Sequence, residues 1–160
     1  MRAIIVLLVL VLGGCASDQV KTVYYEDNMI GNESYGTIKG SNEKESFLYG
    51  DKTTYIIAIN GIQVKGGQRA YEKTLRIKPG LNIITVEFEQ GNMYGEYTFD
   101  IEVDEGSSLI AKAESSKEVI TLWIEDADSK AMITDKVVVH GHIYSSDIFS
   151  EIFIPLVLGW

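Results

Sequence analysis

Asn82-Ile83-Ile84-Thr85-Val86-Glu87-Phe88-Glu89, then Gln90-Gly91-Asn92, then Glu96-Tyr97-Thr98-Phe99-Asp100-Ile101-Glu102-Val103 is the stretch that sets the fold class. In the second arm every other residue is apolar and the rest are charged or Thr, the period of two that a half-buried strand requires. Tyr97, Phe99, Ile101 and Val103 are expected to face a core. In the first arm Ile84, Val86 and Phe88 line one side and Thr85, Glu87 and Glu89 the other. The polar triplet between the arms is a turn, so the stretch predicts an antiparallel hairpin.

The same period extends outward. Ile120, Leu122 and Ile124 form a stripe in 119–126, preceded by Leu109, Ala111 and Ala113 and by the polar turn Ser115-Ser116-Lys117, which predicts a second hairpin. Thr53–Ile59 is a β-branched and aromatic run that stops at Asn60-Gly61, where both turn positions favour φ > 0. Leu75 and Ile77 lead to Pro79-Gly80, a type II turn candidate because Pro presets φ at the second position and Gly accepts positive φ at the third. No stripe of period 3.6 competes. The expectation is an all-β, antiparallel β-sandwich of about seven strands with little helix.

At 160 residues one domain is the default, and a domain of this size buries enough surface to stand without disulfides. A single Cys excludes an internal disulfide and any Cys-based metal cage. With 14 Lys+Arg against 23 Asp+Glu, a net charge of −9 and no basic run, the chain is not expected to bind nucleic acid.

The N-terminus departs from the rest. Met1-Arg2 supplies a short positive region and Ala3–Leu12 is ten uninterrupted apolar residues, too few to span a bilayer at ~20 residues per crossing. It reads as the apolar region of a signal peptide, residues 1–14. At its end, Leu12-Gly13-Gly14-Cys15 resembles the lipobox of bacterial lipoproteins. The resemblance implies that a signal peptidase recognises Leu12, Gly13 and Gly14 and cuts before Cys15, which carries covalent lipid, palmitate among its acyl chains, in place of any other cofactor. Cleavage leaves 146 residues with 13 basic against 23 acidic groups, a net charge of −10. More than one acyl chain anchors durably, at ~0.8 kcal/mol per buried CH₂. Ala16 and Ser17 after the Cys resemble the outer-membrane sorting pattern, which implies a domain facing the periplasm of the bacterial cell envelope. Residues 15–34 read as the lipidated Cys and a tether, with Val23, Tyr24 and Tyr25 as an alternative docked strand, and 35–160 read as the single domain.

Thr37-Ile38-Lys39-Gly40, Ile57-Ala58-Ile59-Asn60-Gly61, Ile77-Lys78-Pro79-Gly80-Leu81-Asn82 and Leu122-Trp123-Ile124-Glu125-Asp126, in that order, resemble small bacterial envelope lipoproteins with an immunoglobulin-like or transthyretin-like sandwich. The likeness covers about residues 35–130 and implies fold and location. It carries no catalytic residue. The Pro79-Gly80 hairpin also resembles that of PEGA-type surface domains.

Few residues suggest chemistry. His140-Gly141-His142 would put two imidazoles on one face of a strand, and Asp126 or Asp128 is a third metal-ligand candidate; the alternative is strand histidines and a strand-end Asx turn. Asp126-Ala127-Asp128-Ser129 begins like a calcium loop but lacks the Gly and distal Glu of that motif. Glu87/Glu89 and Glu96/Asp100/Glu102 are expected to form a solvated acidic surface, a glycosidase pair requiring a shared cleft. Among the aromatics Tyr24, Tyr25, Tyr35, Tyr49, Tyr71, Tyr94 and Trp123, Tyr94 and Trp123 are candidates for a ligand or partner surface; packing between layers is the alternative. The apolar C-terminal run Ile148–Trp160 reads as an edge strand or as a docking tail presenting Phe153 and Trp160, since Pro155 bars it from a central strand. The expected role is a non-catalytic interaction or structural module with an envelope protein partner. The alternatives are a glycan- or lipid-binding module and, third, a metal-dependent enzyme; no small-molecule ligand is specified by these residues.

Overall fold

The computed structural model describes Tyr25 and residues 34–45, 50–65 and 70–144. The strands are β1 (Gly36–Lys39), β2 (Asn42–Glu43), β3 (Lys52–Ile59), β4 (Ile62–Gln63), β5 (Leu75–Ile77), β6 (Gly80–Gln90), β7 (Met93–Val103), β8 (Ser108–Ser116), β9 (Val119–Asp126), β10 (Val137–His140) and β11 (His142–Ile143). One 3₁₀ turn, Ala70–Glu72, is the only helical element among the described residues. Two sheets result, ordered β10-β9-β8-β1-β5 and β11-β7-β6-β3-β2, with β4 beside β3. The protein is an all-β sandwich. Every pairing of named strands is antiparallel except β1 with β8.

Both expected hairpins form. β6 and β7 pair from Gly80↔Val103 to Gln90↔Met93, with Gly91 at φ 61° opening the two-residue turn, and β8 and β9 pair from Leu109↔Asp126 to Ser116↔Val119. Ile84, Val86 and Phe88 from one sheet meet Ile120, Leu122 and Ile124 from the other in a single buried cluster. Each such side chain contributes about 1.5–3 kcal/mol by leaving water. Tyr97 is the exception to the expected core face: it is 38% exposed while Phe99, Ile101 and Val103 are buried. Among the described residues β11 pairs with Met93 and Tyr94 alone, so β7 is an unpaired edge at Tyr97, whose ring is set edge-on to Phe99 at 4.8 Å.

Asn60 (φ 52°) and Gly61 (φ 76°) make the expected turn between β3 and β4, with both positions left-handed. Pro79-Gly80 does not close a hairpin. Gly80 has the positive φ expected of it (99°), but β5 and β6 belong to different sheets, and the chain crosses between layers there.

A second crossing also links the layers. β1 leaves its sheet at Gly40, where a Cβ would stand 2.0 Å from the Thr54 carbonyl oxygen, so only glycine permits the approach. With β1 gone, the Ala111 carbonyl on β8 has lost its ladder neighbour, and the Thr54 hydroxyl on β3 donates to it at 2.9 Å. The same hydroxyl oxygen accepts the Ser41 N–H at 2.8 Å.

Tyr25 is docked rather than part of a free tether. It bridges Val64, its N–H donates to the Gln63 carbonyl at 2.6 Å and its hydroxyl to the Arg76 carbonyl at 2.5 Å. The folded unit therefore includes Tyr25, ahead of the boundary expected at residue 35. The turns Gly91-Asn92 and Lys117-Glu118 lie together at one end of the sandwich, and Gly36, Gly80 and Val103 lie at the other. The eleven residues of β6 separate these ends by roughly 34 Å. No helix among the described residues is long and apolar enough to cross a membrane.

Candidate functional site

Alternation places the side chains of the β6–β7 hairpin on two faces. Val86 and Phe88 point into the core, so Glu87 and Glu89 point out, and the register sets Glu96 directly opposite Glu87 and Tyr94 directly opposite Glu89. Tyr55 of β3 is opposite Glu87 on the other flank, and His142 of β11 is opposite Tyr94. Three carboxylates and a set of aromatic rings thus share the outer face of one sheet.

The rings are ordered by contact. Tyr94 stacks on Tyr144 with centroids 4.2 Å apart and planes inclined by 21°, and His142 lies 5.4 Å from Tyr94. Tyr144 is placed by its N–H, which donates to the Asn92 carbonyl at 2.8 Å, and 51% of it is exposed. On the far flank the Tyr55 hydroxyl donates to Glu89 Oε2 at 2.9 Å, and Tyr71 of the 3₁₀ turn covers the Tyr55 ring at 6.2 Å. Tyr55 is buried although it stands on the outer side of the strand.

Electrostatics follow from the geometry. Burial first, then the neighbouring Glu89 and Glu96 charges, raise the Glu87 carboxyl above its ordinary value. Burial and then the bond and charge of Glu89 raise the Tyr55 phenol, and partial desolvation followed by Glu87 and Glu89 raises that of Tyr144. Like charges directly opposite across a strand pair are unfavourable. Among the described residues no Lys or Arg forms an ion pair with Glu87, Glu89 or Glu96. The paired acids are elsewhere: Glu43 with Lys112, Glu45 with Lys52 at 2.5 Å and Glu114 with Lys136 at 3.2 Å.

Next to this face, between the turns at the same end, lies a cleft of about 600 Å³. Met93 and Ile143 form its apolar side. Its polar side is a relay in which Ser115 donates to Gln90 at 2.5 Å, Gln90 to Glu45 at 2.9 Å, and Glu45 pairs with Lys52.

The other expected site residues are dispersed. His140 and His142 are not on one strand face: Gly141 carries the chain from β10, on β9, to β11, on β7, and its N–H is fixed to the Glu118 carbonyl at 2.7 Å. His140 pairs with Val119 at one end of β9 and Asp126 closes the other, seven residues or roughly 23 Å away. Asp126 Oδ1 accepts from the N–H of Asp128 at 3.2 Å and from the N–H and hydroxyl of Ser129, both at 2.7 Å, the Asx turn that the spacing allowed. Those bonds hold its carboxyl below the ordinary value.

Trp123 does not offer an open ring. It is 7% exposed on the outer face of its sheet, its indole N–H donates to Glu125 at 3.0 Å, and the Lys136 ammonium sits 4.1 Å above the ring. Arg76 likewise covers Tyr35 at 4.5 Å. Leu12, Gly13, Gly14, Cys15, Tyr24, Tyr49, Phe153 and Trp160 lie outside the described residues.

Of the two expected surface residues that are described, Tyr94 joins the cluster and Trp123 does not. Tyr144 and His142 enter it through a register fifty residues apart in sequence, which no local pattern announces. The outward parity of Glu87, Glu89 and Glu96 was legible. Compared with known protein families, curated proteins and solved structures, the chain matches none.

Proposed function

We propose that this is a lipid-anchored protein of the bacterial envelope, an outer-membrane lipoprotein held by acyl chains on Cys15, whose sandwich docks a protein partner and performs no catalysis. The immunoglobulin-like or transthyretin-like relationship belongs to this reading, supported by the two-sheet architecture. The observation that carries it is the stacked Tyr94–Tyr144 pair, Tyr144 half exposed and Tyr94 partly buried, beside three carboxylates on an outer sheet face. Aromatic rings with a wet edge and an apolar body are the side chains that dominate protein interfaces.

In-cell crosslinking of the full-length lipidated protein tests this, with Tyr94→Ala/Tyr144→Ala and a chain truncated before Ile148 as companions. The expected result is one dominant envelope protein, retained on truncation and lost with the tyrosines. Loss on truncation alone would move the docking element to the C-terminal segment, and no partner in any sample would overturn the adaptor role. The adjoining 600 Å³ cleft favours a second reading, a glycan- or lipid-binding module, for which binding by the chain without a protein partner is the test.

A further inference from the structure

The charge pattern of the docking face identifies the chemistry of its partner. Glu87 and Glu96 oppose each other across the β6–β7 ladder, with Glu89, which accepts from the Tyr55 hydroxyl, one outward position along, and none of the three forms an ion pair among the described residues, whereas Glu43, Glu45 and Glu114 are matched to lysines. A ladder that places like charges face to face loses stability for it. A cation seated between them removes that cost, and the folded chain supplies none among the described residues.

The aromatic wall is independent of the acids and selects the same ligand class. Tyr94 and Tyr144 are held nearly parallel at 4.2 Å, Tyr144 is half exposed, and both stand beside Glu89. A guanidinium or ammonium group gains from a ring face and from carboxylate oxygens together, and the planar guanidinium also stacks. An anionic lipid surface would be repelled.

We propose that the outer face of the β6–β7 hairpin receives a lysine- or arginine-bearing segment of the protein partner, the cationic head seated among Glu87, Glu89 and Glu96 and its stem along Tyr94 and Tyr144. This rests on the docking face proposed above and adds the partner's chemistry.

The test uses the full-length protein in neutral detergent and three decapeptide probes, (Gly-Arg)₅, (Gly-Gln)₅ and (Gly-Glu)₅, followed by titration and by NMR shifts of tyrosine and histidine ring protons. The arginine probe is expected to bind, weakening with salt, and to shift the Tyr94, Tyr144 and His142 resonances. Glu87→Gln/Glu96→Gln is expected to weaken it about tenfold or more. Asp104→Asn/Glu105→Gln, the same charge change at the opposite end of the sandwich, should alter it less than about twofold, since exposed charges beyond a Debye length are screened. Tyr144→Ala should cost about two- to fivefold.

Equal losses for the two acid pairs, or equal binding of the glutamine probe, would overturn the inference. A partner crosslinked in cells through Tyr144 with no arginine-probe binding would also overturn it, and would leave the adaptor role standing.

Discussion

Replacing Glu87 by Gln should make this protein more stable at neutral pH. The side chain stands opposite Glu96, near Glu89, and burial with those two charges raises its carboxyl. A directly opposed like-charge pair on a strand ladder costs about 0.2–1 kcal/mol, so removing one member returns about 0.5 kcal/mol. For a domain of this size that is ~2 °C in Tm. The sign with pH is fixed by the direction of the shift. A carboxyl raised in the folded state binds its proton more tightly there, so its contribution is fully present below the unfolded value and is lost as pH rises through the folded one. The unmodified chain should therefore gain stability as pH falls from 7 toward the raised Glu87 value. Further acidification reverses the trend, because Asp126 and Glu45, both held low, lose their bonds when protonated. Thermal unfolding of the full chain in neutral detergent between pH 4.5 and 8 measures both effects. Glu87→Gln should flatten the gain on acidification, and Glu87→Gln/Glu96→Gln should gain less than the sum of the single variants, since either one relieves the pair. A Tm lowered by Glu87→Gln at pH 7 would contradict the repulsion and assign Glu87 a favourable role within the fold.

Two further substitutions probe the frame around the face. Thr54→Val leaves the Ala111 carbonyl and the Ser41 N–H without the buried hydroxyl that serves both, and should cost about 2–4 kcal/mol by denaturant unfolding, with Thr54→Ser costing under ~1 kcal/mol because the hydroxyl returns. Lys136→Ala should uncover Trp123 and shift its fluorescence to the red, read in a Trp160→Phe background, with a stability loss of about 0.5–1 kcal/mol for the lost cation–π contact.

The elements read most easily from the residues are those whose partners are neighbours in the chain. The β6–β7 ladder needs only alternation and a two-residue turn, and Asn60-Gly61 carries its turn in its own φ angles. Tyr97 shows the limit of alternation, which assigns a side but not whether a neighbouring strand covers it. Layer crossings were illegible for a related reason. Pro79-Gly80 and His140-Gly141-His142 look like a local turn and a continuous strand, and only the packing of β6 and β11 on distant partners divides them between sheets. Gly40 gives no signal in sequence, since its requirement is the Thr54 carbonyl. Trp123 alternates away from Leu122 and Ile124 as an exposed residue would, and is closed over by Lys136 from a later loop. The acids of the outer β6–β7 face could be placed outward by parity, whereas the ring stack beside them depends on the long-range pairing of His142 with Tyr94.

Site-specific photocrosslinking in living cells is the decisive test of the proposed docking surface, with the full-length chain carrying a photoreactive residue in place of Tyr144 and, separately, of Leu81 at the opposite end of the same sheet face. A docking surface at the aromatic end of the sandwich predicts one envelope protein crosslinked from position 144 and none of it from position 81. Equal capture from both positions, or capture from 81 alone, would contradict that placement.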